Sequence, residues 1–148
     1  MRWLTMVQSQ QSIGKVSGAS GMRRRSPEIR KFQLPEYERF VQIRSSVFPE
    51  DPLSALELKS FDDNLDRTKY YLKRYSCFDK ETGEMVGLGD LSHFPWMFSP
   101  GRFRGRIWVN RDHQNQGVGQ FIYEYLRRCL ADLKAAEVWG FEIGRAHV

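Results

Sequence analysis

Between Ile107 and Leu133 the spacing of apolar residues changes once. Ile107 and Val109 alternate with Arg106 and Trp108, the period of two of a half-buried strand. Beyond it, Ile122, Tyr125, Leu126, Cys129, Leu130 and Leu133 recur at helical spacing, with Glu124, Arg127, Arg128 and Asp132 on the outer face. That change of period predicts a strand, a glycine turn and a long amphipathic helix. Upstream, Ile29 to Gln33 alternates weakly and predicts an edge strand. Pro35 suits a helix first turn, and Tyr37, Phe40, Val41, Ile43, Arg44 and Val47 continue it to a stop before Phe48-Pro49. Ser54, with Glu57 three residues on, makes a capping box for a second helix reaching Asn64 or Arg67.

The middle of the chain reads as a meander. From Lys69 to Phe78, Tyr70, Leu72 and Arg74 alternate with Tyr71, Lys73 and Tyr75, which predicts a strand. Asp79 to Glu84 is a hairpin turn signal, and Met85 to Phe94 is the returning strand, with Val86 and Leu88 expected on one face. Trp96, Met97 and Phe98 then interrupt the pattern in a proline-bounded loop. They either fold back onto the core or form an apolar wall beside a ligand. Arg102 to Val109 is the next strand, and Glu137 to Phe141 begins a short last one. The predicted order of strand, helix, helix, three strands, helix and strand is an α/β arrangement around a mostly antiparallel central sheet.

Composition adds little to that picture except at the N-terminus. A chain of 148 residues with 41% hydrophobic and 14% aromatic content can build one core. Arg2, Lys15, Arg23, Arg24 and Arg25 account for the whole formal net charge of +5, since no acidic residue precedes Glu28. The remainder is neutral, so the charge describes a basic leader over residues 1–27, expected to be disordered, and gives little support for a nucleic-acid surface. No apolar run reaches the roughly 20 residues that span a bilayer. Cys77 and Cys129 have neither metal-site nor disulfide spacing and read as buried thiols in a reducing, cytoplasmic setting, with no metal site expected.

Candidate chemistry gathers at the junction of strand and long helix, in Gln114-Asn115-Gln116-Gly117-Val118-Gly119-Gln120. The first turn of a helix has amides without helical acceptors and a partial positive charge, so it attracts anions, and glycine lets a ligand approach the backbone. Gln114-x-x-Gly117-x-Gly119 can therefore cradle a diphosphate with main-chain donors; the plainer alternative is a corner in which glycine only turns the chain. The Lys-Ser/Thr ending of a nucleotide P-loop and the third glycine of the dinucleotide fingerprint are both absent.

The run resembles the acyl-CoA-binding signature of the GNAT superfamily of N-acetyltransferases, Gln/Arg-x-x-Gly-x-Gly/Ala after the fourth strand, and matches all three defined positions. The resemblance covers about Glu28 to Phe141 and implies a mostly antiparallel GNAT-like sheet flanked by helices, incomplete after the fifth strand. It implies acetyl-CoA as co-substrate and transfer of its acetyl group to a primary amine of a small molecule or protein. Main-chain groups of Trp108 and Val109 would pair with the pantetheine amides, and Gln114, Asn115, Gln116, Gly117, Val118, Gly119 and Gln120 would hold the diphosphate, with Arg111 adding charge nearby. No nucleic-acid or membrane partner is expected, and the oligomeric state stays open.

The catalytic groups remain unassigned. The fourth strand carries Arg104 and Arg106 where some relatives have a carboxylate, which leaves Asp90 and His93 on the preceding strand as nearby candidates, each more readily read as structural. Two other functions stay open: a CoA-binding domain without catalysis, and an RNA-binding sheet module suggested by the basic and aromatic interleaving of Arg102 to Trp108. The closing residues Glu142 to Val148 resemble the translation of a common sequencing adapter. They are expected to be a non-native tail on a partial domain of residues 28–141.

Overall fold

The computed structural model describes residues 26–143. Five strands form one sheet in chain order: β1 (Pro27–Lys31), β2 (Leu72–Asp79), β3 (Met85–Ser92), β4 (Arg102–Val109) and β5 (Glu137–Ile143). The first four are antiparallel neighbours, and β5 joins β4 in parallel. A parallel neighbour needs a crossover, which α3 (Val118–Asp132) supplies. The helices α1 (Tyr37–Val47) and α2 (Ala55–Asn64) cover the opposite face.

Alternation along the strands sorts the core into two layers. Cys77, Leu91, Phe103, Ile107 and Val109 pack against Val118, Ile122, Leu126 and Leu130 of α3. Phe78, Met85, Leu88 and Trp108 pack against Phe40 and Ile43 of α1 and Leu58 of α2. The expected division of Ile107 and Val109 from Trp108 is therefore the division between layers. Helix α3 lies close on the sheet: a Cβ at Gly89 would stand 2.7 Å from Ile122 Cγ2 and 3.0 Å from Leu126 Cδ1.

Local signals set the helix starts. The Ser54 N–H donates to Glu57 Oε1 at 2.9 Å, and the Glu57 N–H donates to Ser54 Oγ at 3.0 Å, closing the expected capping box on α2. A second box, Gln33 with Glu36, opens a 3-10 turn that holds Pro35 and runs into α1.

Several boundaries differ from the sequence expectation for physical reasons. Strand β2 begins at Leu72 and not Lys69, because the Lys69 and Tyr70 amides both donate to Asp66 O (3.1 and 2.9 Å) and hold the chain in a turn. Strand β3 ends at Ser92, ahead of a 3-10 turn at Pro95–Met97. Strand β5 continues through Glu142 to Ile143. The leader before residue 26 and residues 144–148 lie outside the described residues.

Val86 and Leu88 do not share a face. The β2–β3 register pairs Cys77 with Gly87 but Phe78 with Met85, so Val86 is an extra residue. This bulge turns Val86 into the α3 layer while Leu88 stays in the other. In the loop, Trp96 is 66% exposed and stands off the core, whereas Phe98 packs edge-on against His93 and Tyr70.

Leu126 is fully buried between α3 and the sheet. Leu126→Ala is expected to cost about 2–5 kcal/mol, read as a lower urea midpoint with unchanged slope.

Candidate active site

The turn after β4 is fastened at both ends. The Asn110 N–H donates to Val86 O at 2.8 Å, the His113 N–H to Asn110 O at 2.8 Å, and Gln114 Nε2 to Val109 O at 3.0 Å. The Arg111 N–H donates to Ser46 Oγ at 3.1 Å, tying the loop to α1. Two residues then reverse the chain in left-handed conformation, Asn115 at φ 63° and Gly117 at φ 85°. Asn tolerates this region and glycine has no penalty there, which explains the residue types.

Helix α3 opens without a lid. Gly117 is its N-cap, no side chain caps it, and no acidic residue stands in the first turn. The Phe121 N–H is bonded back to Gly117 O at 3.0 Å, so the amides of Val118, Gly119 and Gln120 precede the first helical acceptor. The Val118 side chain is buried under the helix and offers only its amide. Gln120 Nε2 turns to Glu124 Oε2 at 3.0 Å; Asn115 is exposed and Gln116 half-buried. The structure thus brings Gln114 to Gln120 together at one helix mouth, at a positive dipole end with no side-chain cap and no acidic residue in the first turn. Arg111 stands beside this mouth, exposed.

Trp108 and Val109 address opposite edges of β4. Because Asn110 N–H bonds to Val86 O, and bonded and open pairs alternate along an antiparallel ladder, Trp108 turns its amide and carbonyl toward β3 while Val109 turns them to the other edge. The β4–β5 pairing as described reaches Ile107, so Val109 lies beyond it. The Trp108 ring projects to the α1/α2 side, 4.9 Å from the Phe40 ring centroid.

On that side the alternate residues Trp108, Arg106 and Arg104 line a cavity of about 450 Å³ bounded by α1 and α2. Trp96 borders it as well, so this residue of the aromatic loop forms part of a wall, while Met97 and Phe98 do not line the cavity. Beneath the cavity lies a buried ion-pair chain that the sequence reading missed. Arg74 Nη1 donates to Asp62 Oδ2 at 2.5 Å and Arg74 Nε to Asp90 Oδ2 at 3.3 Å, while Arg106 Nε and Nη2 reach Asp90 at 3.0 and 2.9 Å. Tyr37 Oη donates to Asp62 Oδ2 at 2.5 Å, and burial together with that bond pushes its phenol up to about 12. The only available signal was the presence of Arg74 and Asp90 at strand positions otherwise reserved for the core.

The two candidate bases are both committed to structure. Burial alone would raise the Asp90 carboxyl, but Arg106 and Arg74 more than offset it and the net shift is downward. Asp90 is thus a fully buried, ionised structural partner in mid-strand. His93 Nδ1 accepts the Tyr71 N–H at 2.9 Å and Nε2 donates to Pro100 O at 3.1 Å, which uses both ring nitrogens. His113 is buried beside the glycine turn, with Nδ1 3.1 Å from Asn110 Nδ2 and Nε2 3.9 Å from Glu84 Oε1, and it anchors the loop. Burial pushes the Cys77 thiol up to about 12, which makes it inert.

A mixed sheet whose fourth strand runs into an uncapped glycine turn, with a cavity on the strand's other face, gives this chain an α/β architecture with an open helix mouth across one strand from a cavity. The chain belongs to the acetyltransferase (GNAT) family, which it matches over residues 34–143. It is therefore an N-acetyltransferase of the GNAT type, an enzyme class that uses acetyl-CoA. Among the curated proteins, no sequence matches. Solved structures show the same fold at low identity. An acetyltransferase of Trypanosoma brucei is 20% identical with a TM-score of 0.58, covering 78% of this chain and 82% of that one. An N-acetyltransferase of Staphylococcus aureus is 13% identical with a TM-score of 0.66, covering 78% and 72%. A GNAT superfamily phosphinothricin acetyltransferase of Sinorhizobium meliloti, in complex with acetyl-CoA, is 17% identical with a TM-score of 0.58, covering 72% and 60%. No helix among the described residues is long and apolar enough to cross a membrane.

Because the folded pKa of Asp90 lies below the ordinary carboxylate value of about 3.9, its contribution is complete above that pH and is lost as the pH falls through the folded value. Asp90→Asn is expected to cost about 3–5 kcal/mol at pH 7, since it leaves two guanidiniums under-compensated. Urea titrations at a series of pH values should show the gap between the two proteins hold down to about pH 4 and close below it.

Proposed function

We propose that the mouth of α3 binds the diphosphate of acetyl-CoA and that an amine acceptor enters on the α1/α2 side of β4. The observation that carries this reading is the uncapped first turn: the amides of Val118, Gly119 and Gln120 stand free of side-chain caps behind a left-handed Gly117. Gln114, Asn115 and Gln116 complete the cradle, with Gln114 holding its shape through Val109 O. The edge-facing amide of Val109, next to Trp108, suits a pantetheine carbonyl, while the Val109 carbonyl already accepts from Gln114 Nε2. Such a donor set fits a dianion by geometry and by dipole, each charge-assisted bond contributing about 1.5–3 kcal/mol.

Bound acetyl-CoA supplies an acetyl group activated as a thioester, and its transfer to an amine forms an amide and releases the thiol. The chain's part is to hold the acyl donor at β4 and the amine in the cavity on the opposite side of that strand, which converts a bimolecular encounter into a positioned one. Asp62 and Asp90 are occupied by Tyr37, Arg74 and Arg106, so neither takes the amine's proton. The amine loses that proton to water in the cavity. Both cysteines are free thiols, which suits a cytoplasmic protein.

Gly119→Glu separates binding from folding. A carboxylate in the first turn of α3 should leave stability unchanged or raise it slightly, while repelling the diphosphate. Acetyl-CoA affinity by isothermal titration is expected to fall about tenfold or more with no loss of urea midpoint. Unchanged affinity would return the turn to the plain-corner reading.

A further inference from the structure

The α1/α2 cavity is apolar where it is open, which bears on what enters it, given the reading that this cavity receives the acceptor. Its floor is closed: Phe40, Leu58 and Trp108 are buried. At its mouth two rings stay exposed, Phe61 of α2 at 65% and Trp96 of the β3–β4 loop at 66%. Single exposed apolar residues are ordinary on a protein surface, but these two come from separate elements and border one cavity of about 450 Å³. That volume lies within the range of small-molecule pockets, roughly 300–1,000 Å³. Phe61 also continues a stripe. Leu58, Phe61 and the C-cap residue Leu65 follow i, i+3, i+7 spacing and all line the cavity, so the face of α2 that packs the core at Leu58 runs on into the mouth.

Trp96 is exposed but held. Its ring meets that of the buried Phe94 edge-on at 5.5 Å between centroids, and the Arg104 guanidinium lies 5.4 Å from its own centroid. Those contacts set the indole in place before a ligand arrives, which lowers the ordering cost of binding. The charged groups of the lining are committed within the protein. Arg44 donates to Asp51, Arg74 to Asp62 and Asp90, and Arg106 to Asp90, while Asp62 also accepts Tyr37 Oη. Both ring nitrogens of His93 are bonded, and the Ser92 hydroxyl oxygen is itself buried. Recognition at the mouth therefore falls to the two rings.

We propose that the acceptor is a small amine borne on an aromatic body, which packs against Phe61 and Trp96 at the mouth of the α1/α2 cavity while its nitrogen points inward to β4.

The test compares phenethylamine and tryptamine with ethanolamine, a primary amine without a ring. Thiol release with acetyl-CoA should give kcat/KM at least about tenfold higher for the two aryl amines, mostly through KM. Phe61→Ala and Trp96→Ala should each shrink that preference about threefold or more, and Trp96→Phe should keep most of it, with urea midpoint and acetyl-CoA affinity by titration unchanged. Equal or faster turnover of ethanolamine, or a preference untouched by both alanine variants, overturns the proposal. Self-association in sedimentation that Phe61→Ala abolishes would assign the rings to a second copy of the chain and overturns it as well. If acetyl-CoA does not bind, the cofactor reading has failed by itself, and direct titration of the same amines still decides the claim: tighter binding of the aryl amines that Trp96→Ala weakens supports it, equal or absent binding refutes it.

Discussion

Asp90 has no exposed surface, sits in the middle of the sheet, and is held ionised. A buried charge is tolerable only with partners in good geometry, and these come from β2 on one side and β4 on the other. Arg74 then carries the linkage on to Asp62 near the end of α2, and Tyr37 of α1 completes it. One carboxylate thereby couples the register of three strands to the seating of both covering helices. Shifting any of these strands by one residue would turn an arginine to the wrong face and strand the charge, so the arrangement specifies register more than it adds stability.

The register that meets this constraint depends on the bulge at Val86. The hairpin closes with the Asp79 N–H donating to Glu84 O at 2.8 Å. Continued without interruption, that pairing would set Arg74 against Gly89. The extra residue moves it opposite Asp90 and at the same time sends Val86 to the α3 layer. The bulge explains why the sequence could be read for the elements but not for the ion-pair chain. Capping at Ser54, the stop at Phe48-Pro49 and the period change after Val109 are local signals, and each is found where local chemistry puts it. A one-residue slip leaves no such trace in composition or spacing, because Met85, Val86 and Leu88 are all apolar. Asp90 therefore read as a possible base when its partners, 16 residues away on either side, had already claimed it.

The glycine turn was legible for the opposite reason. The proposed anion cradle uses main-chain groups, and such a cradle depends on backbone conformation that few residue types permit. Gly117 at φ 85° and Asn115 at φ 63° are the residues that such a turn selects. What could not be read was the division between Trp108 and Val109, because which edge a strand residue addresses depends on a hydrogen-bond ladder and not on side-chain pattern. The aromatic loop was similarly ambiguous: Trp96 is as apolar on the wall of a cavity as it would be in a core, and only its 66% exposure decides between them.

Strand β4 separates the two halves of the site by its own alternation. Ile107 and Val109 lock α3 against the sheet and so aim the helix mouth, whereas Arg104, Arg106 and Trp108 face the cavity. A substitution on the cavity side can change the cavity lining without loosening the packing that positions the turn. The exception is Arg106, which serves the buried carboxylate and the cavity floor together. A change at Trp108 leaves the direct hydrogen bonds of Asp90 intact, whereas Arg106 can change only within what Asp90 requires. That asymmetry follows from burial: a guanidinium that compensates a charge with no access to water cannot be replaced by a neutral group unless the charge goes with it.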